Sequence, residues 1–307
     1  MSDEQEPPRR RPGFHVPRPD GLLDSAFSKK PLTAESYDEF NELTRVVFEV
    51  QPVAFAYAII EANCEAIGSS LASHQQRCAD VLRDGLDPVR EGCRSLITLT
   101  QCISNFLSST SAFLDQTNRR LIIDHGKGAP QHKEWTELRR AAYDARFSYR
   151  FMYHLRHYAQ HHSIPLNNLQ VKANRDDPSS PWQFEIGLST LRDGLLKDGF
   201  DWKQARAGIE SQSEIFDLQP LVAEYVESLG VLCRGYLESH QQRLVECGRY
   251  LGAYVRVFKI PPKSWPVIFV GESQVAGCPP GQVEWVPIGQ YQFIIDLLAR
   301  LPKQDTF

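Results

Sequence analysis

Between Leu96 and Leu121 the residues Leu96, Leu99, Ile103, Phe106, Thr110, Phe113, Thr117 and Leu121 recur at intervals of three and four. That period places all of them on one side of a helix. A strand cannot meet it, because strand side chains change face at every residue. The spacing predicts a helix over about Val89–Ile123 whose stripe must be covered by other helices.

The remaining chain reads as further helices with two interruptions. Ser36-Tyr37-Asp38-Glu39 has the form of a capping box and opens a first helix towards Val50, which Pro52 interrupts. A second helix runs over about Val53–Arg83 and ends before Asp87-Pro88. Asp124–His132, with Gly126, Gly128 and Pro130, is a connection, and one long helix follows from Lys133 to His162. Over residues 168–187 the period changes to two. Leu169 and Val171, then Trp182, Phe184 and Ile186, flank Asp176-Asp177-Pro178-Ser179-Ser180 and predict a β-hairpin. Short helices over Ser189–Lys197 and Trp202–Glu210 precede a long one from Asp217, its N-cap, to Val257. Strands at Val267–Val270 and Val283–Val286 and a helix over Gln290–Leu301 complete the chain.

The expected fold is therefore mainly α: a long antiparallel helix bundle with a small β-hairpin and a short α/β C-terminal tail. Residues 1–34 are expected as a flexible basic and proline-rich arm, in which Arg9, Arg10 and Arg11 form a solvated tract. Residues 35–165 form the bundle, 166–257 complete it with the hairpin and long helices, and 258–307 form the tail. The pentapeptide Ser73-His74-Gln75-Gln76-Arg77 recurs as Ser239-His240-Gln241-Gln242-Arg243, without matching flanks.

Composition narrows the setting. A formal net charge of −4 gives no global field for a polyanion, so any nucleic acid must be held by a local patch. No apolar run has the length of a membrane span, and Met1–Asp20 lacks the apolar core of a secretory signal, so the cytoplasm is the expected location. Seven cysteines, at positions 64, 78, 93, 102, 233, 247 and 278, form no C-x-x-C pair and are expected as buried free thiols, with no zinc site.

The helix predicted over Lys133–His162 carries the chemistry. On a wheel Trp135, Leu138, Ala142, Ala145, Tyr149 and Met152 make a core stripe, and Arg139, Arg146, Arg150, His154, His157 and His161 lie opposite. Arg156 falls in line with the core stripe, where an unpaired guanidinium is costly. It must snorkel to the rim, pair with a carbonyl or an acid such as Asp115, or line a polar pocket. Four of the nine histidines crowd into His154–His162, where the helix macrodipole favours imidazolium. A zinc pair at His157 and His161 has workable spacing but no third ligand.

Arg156-His157-Tyr158-Ala159-Gln160-His161 resembles the motif of HEPN domains, an arginine, a polar residue and then a histidine, late in a long helix. The resemblance covers roughly residues 97–165. It implies a metal-independent endoribonuclease without cofactor that leaves a 2′,3′-cyclic phosphate, often a toxin or phage-defence effector. Arg156 would stabilise the phosphorane, His161 would be general acid or base, and His157 would orient the pair. Asp115, Asn118, Arg150, His154 and Tyr158 form the supporting set, with no metal ligand.

RNA is the implied partner, with an antitoxin or another defence-system protein as a possible regulator. Residues five apart on a helix are about 140° apart, so Arg156 and His161 of one chain do not readily grip one phosphate. A homodimer through the motif-bearing helix is expected. The alternative reading is a non-catalytic helical module that binds a protein, a nucleotide or RNA with the same ridge.

Overall fold

The computed structural model describes residues 8–166, 168–177, 180, 182–197, 199–272 and 279–303. The chain is mainly helical, with two small antiparallel sheets. It divides into two compact units, residues 1–52 with 240–300 and residues 53–239 with 301–307.

The first unit contains β1 (Arg10–Pro17), β2 (Leu23–Phe27), the first part of α1 (Ala34–Asp84), α8 (Gln241–Val257), β6 (Trp265–Val270), β7 (Gln282–Trp285) and α9 (Ile288–Arg300). Its sheet has the order β2-β1-β6-β7, with Phe14 paired to Ala26 on one side and to Pro266 on the other.

The expected flexible arm is thus a pair of strands from residue 10 onward. The reason lies in partners more than two hundred residues away. Arg9 ion-pairs with Glu272 at 3.0 Å, and Arg10 lies over the Tyr37 ring and reaches Glu284. Gly13 lets β1 fit closely, since a Cβ there would collide with the Ala26 carbonyl and the Phe269 ring. Residues 1–7 of that arm lie outside the described residues, as do Cys278 and the hairpin residues Pro178 and Ser179.

The second unit holds the rest of α1, α2 (Pro88–His125), α3 (Pro130–Ala145), α4 (Phe147–His161), β3 (Asn168–Asn174), β4 (Gln183–Leu191), α5 (Arg192–Lys197), α6 (Arg206–Glu210), β5 (Ile215–Asp217) and α7 (Gln219–Glu238). The stripe that predicted α2 is buried from Leu99 to Leu121. Asp87 caps α2, accepting from the Val89 and Arg90 amides at 2.9 and 3.3 Å, with Pro88 following it. The hairpin pairs Val171 with Ile186, and β5 extends it to three strands. Trp202 is buried, stacks on Phe151 with ring centres 5.7 Å apart, and donates to the Leu195 carbonyl. That cluster anchors α4 against the segment after the hairpin.

Several boundaries differ from expectation. Helix α1 continues through Pro52, although proline removes one helical hydrogen bond. It begins at Ala34, and Thr33 rather than Ser36 accepts from the first turn, at 3.2 Å from the Ser36 amide. The helix expected over Asp217–Val257 is two helices, separated at Ser239 and His240. The repeated pentapeptide therefore lies mid-helix in one copy and at a break in the other. An 18-residue window of α1 is apolar enough for a membrane span, contrary to the expected absence of one, and half of it is buried within the fold. The described cysteines are free, and only Cys233 and Cys247 are buried, while Cys93 is exposed.

Candidate functional site

The helix expected over Lys133–His162 is broken at one residue. Arg146 is extended, with φ −113° and ψ 125°, between α3 and α4. Neither proline nor glycine marks the position, so the cause is tertiary. The Arg146 side chain is 12 % exposed and is drawn to α7, donating to the Glu227 carboxylate at 2.7 Å and the Glu224 carbonyl at 3.3 Å. Phe147 beside it packs so close to Gly208 that a Cβ there would enter its ring. Arg150 closes the end of α3, donating to the Tyr143 and Asp144 carbonyls at 2.7 Å each. Such carbonyls at a helix end otherwise lack partners.

The break sets up a cavity. On one straight helix Arg139 and Arg156 would stand about 25 Å apart along the axis and roughly 100° apart around it. Here both line one cavity of about 170 Å³, together with Thr110, Ser111 and Asp115 of α2, Tyr153 and His157 of α4, and Tyr225 of α7.

Its electrostatics are unusual for a core-flanking space. Among the described residues none ion-pairs with Arg156, and its Nε is buried without a hydrogen-bond partner. Asp115 shares the cavity but forms no ion pair with it, so the paired alternative raised by the sequence is not what the fold adopts. Arg139 leans over the Trp135 ring at 5.4 Å. Two guanidinium groups therefore face one carboxylate, a local positive excess in a chain of net charge −4.

His157 is held below the usual imidazole range, first by burial, then by Arg156 and by His161. His154 is lowered first by burial, then by His157, with Lys203 opposed by Asp201. Its Nε2 lies 3.0 Å from the Tyr143 hydroxyl. For these two histidines burial and neighbouring cations outweigh the helix dipole, contrary to the expected imidazolium.

Of the sequence-derived set, Arg156, His157 and Asp115 line the cavity. His161 does not: it is exposed and its ring stacks on His157, centres 6.4 Å apart and planes 23° apart. Among the described residues no third His, Cys, Asp or Glu gathers with this pair.

The other four serve the fold. Asn118 accepts from His132 Nε2 at 3.2 Å, while His132 Nδ1 accepts from the Gly128 amide, so Asn118 steadies the α2–α3 connection. Arg150 caps α3, His154 holds Tyr143, and Tyr158 is buried against Trp202 and Phe200.

Arg139, Tyr153, Thr110, Ser111 and Tyr225 were not selected from the sequence. Arg139 was visible only as part of the polar ridge. Tyr225 lies some seventy residues further along the chain, and no spacing could have pointed to it.

No family model matches this chain. No curated protein or solved structure matches it either.

Proposed function

We propose that this cavity binds a phosphodiester of RNA and that the protein cleaves RNA without a metal ion, as the HEPN-like motif implies. The observation that supports it best is the Arg156 guanidinium, which has no ion-pair partner among the described residues and an unpartnered Nε, in a small cavity beside an imidazole whose pKa burial lowers. A half-buried cation without a counter-charge attracts an anion, and an anionic ligand also supplies the acceptor its buried Nε lacks.

Arg156 and Arg139 hold the phosphate and stabilise charge developing on its oxygens. His157, first expected only to orient the pair, becomes the general base, and His161 keeps the part of general acid. Neutral His157, facing the cavity, takes the proton of the 2′-hydroxyl. The 2′-oxygen attacks phosphorus, the bond to the 5′-oxygen breaks, and that oxygen takes a proton from His161. The products are a 2′,3′-cyclic phosphate and a 5′-hydroxyl end. Since His161 stacks on the outer side of His157, we place the donating His161 on a second copy, in a homodimer formed through the motif-bearing end of α4. The proposed setting is cytoplasmic, with α2, α3, α4 and α7 as the antiparallel bundle of a toxin or defence effector held by a protein partner.

The test incubates purified protein with single-stranded RNA in EDTA, beside Arg156→Ala, His157→Ala and His161→Ala. Chelator-resistant cleavage with cyclic phosphate ends, lost in all three variants, is the expected result. Equal cleavage by every variant reveals a contaminant and ends the proposal. The exposure of His161 also favours a second reading, a non-catalytic RNA-binding module. Binding weakened by Arg156→Ala, with no cleavage by any form, establishes that reading instead.

A further inference from the structure

A second concavity of about 410 Å³ adjoins the cavity, lined by Thr136, Arg139, Arg140, Tyr143, Tyr149 and Tyr153. Arg139 and Tyr153 line both spaces, so the two share a wall made by α3 and α4. Its volume falls in the range of small-ligand pockets, about 300–1,000 Å³. Three tyrosines, two arginines and Thr136 make its wall, and of these only Arg139 has a part in the phosphate chemistry above.

The rings are ordered. Tyr143 and Tyr153 meet at 88°, centres 6.1 Å apart, and form a right-angled corner. Tyr143 is steadied by the contact of its hydroxyl with His154 and by an edge contact to buried Tyr149 at 6.3 Å. Tyr153, 41 % exposed, continues the row to His157 at 5.8 Å. A flat ring placed in that corner stacks on one tyrosine and meets the other at its edge, the two arrangements aromatic groups prefer. Guanidinium groups at its lip supply the charge complement to a sugar–phosphate chain.

We infer that the Tyr143–Tyr153 corner is a base-stacking subsite. It would hold the nucleobase of the nucleotide next to the phosphate bound by Arg139 and Arg156 in single-stranded RNA. The inference rests on the phosphodiester reading of the adjoining cavity. A base paired in a duplex cannot enter the corner, whereas an unpaired one can, and every base offers a π face. The subsite thus selects for single strands with little preference of sequence.

The test measures binding of the full chain to two fluorescent hexanucleotides by anisotropy in EDTA. Both carry 2′-O-methyl groups so that neither is cleaved, and one is abasic throughout. The intact oligonucleotide should bind about tenfold or more tightly than the abasic one, from the usual worth of one stacked base. Tyr153→Leu should remove most of that advantage, while Tyr153→Phe keeps it. Arg156→Ala should weaken both ligands alike.

Equal affinity of the wild-type protein for the two ligands overturns the stacking subsite, and so does a uniform loss in Tyr153→Leu. Absence of binding to either overturns the subsite and the phosphate reading together. A base-dependent affinity in a protein that never cleaves RNA leaves the subsite standing and removes only the nuclease.

Discussion

Arg156→Met should make the protein more stable and less able to bind RNA. The wild-type Nε is buried with no acceptor, and no carboxylate among the described residues pairs with the group. An unsatisfied buried donor costs about 1–3 kcal/mol. Arg156 is only half-buried, so its outer nitrogens retain water and the lower end applies. Methionine keeps the aliphatic stem and its contacts with α2 and α7 while removing the orphaned N–H. A gain of about 1 kcal/mol raises the melting temperature by roughly 2–4 °C in a domain of 150–250 residues. The assay is urea denaturation followed by circular dichroism, with RNA anisotropy on the same preparation. A stability loss above ~1 kcal/mol refutes the reasoning, because it means the guanidinium has a structural partner. Stability gained with RNA affinity unchanged refutes the phosphate role alone.

Other consequences can be checked separately. Arg150→Ala removes two hydrogen bonds from the end carbonyls of α3 and should cost about 1–3 kcal/mol, read as a lower urea midpoint. Gly208→Ala forces a methyl into the Phe147 ring and should cost about 1–3 kcal/mol, with a matching fall in melting temperature; an unchanged melt would show that α6 is free to move aside. His74, His154 and His157 are all lowered from 6.5, first by burial, so below that pH the unfolded chain binds more protons than the folded one. Stability is then complete above about pH 6.5, falls as pH drops through it, and levels off below the lowered folded values. Urea midpoints that rise on acidification contradict this assignment. If His157 is the base, the cleavage rate should also fall as pH drops below the ordinary imidazole value, and a rate flat through that range contradicts the role.

The helices were legible wherever one face of a segment carries the burial. The stripe from Leu99 to Leu121 is periodic because it covers one core, and periodicity alone located α2, while the Asp87 cap came only with the fold. The motif was also legible, since Arg156 sits in a buried-type register with a charge that register does not tolerate. Where the sequence reading failed, the deciding contacts were distant. Arg9 and Arg10 read as a solvated tail because the strand Trp265–Val270 that pairs with β1, and the acids Glu272 and Glu284, lie far along the chain.

The sequence by itself determined that the chain is mainly helical and that Arg156 stands in a core register where its charge needs a polar partner or solvent. Those properties depend on period and on the cost of burying charge, both local. Tertiary structure alone decided the break at Arg146, because the force that ends α3 there is an ion pair with Glu227 on α7. That break brings Arg139 to Arg156, puts His157 rather than His161 in the cavity, and opens the tyrosine corner beside it. No helical wheel drawn on an unbroken segment can contain that change of direction.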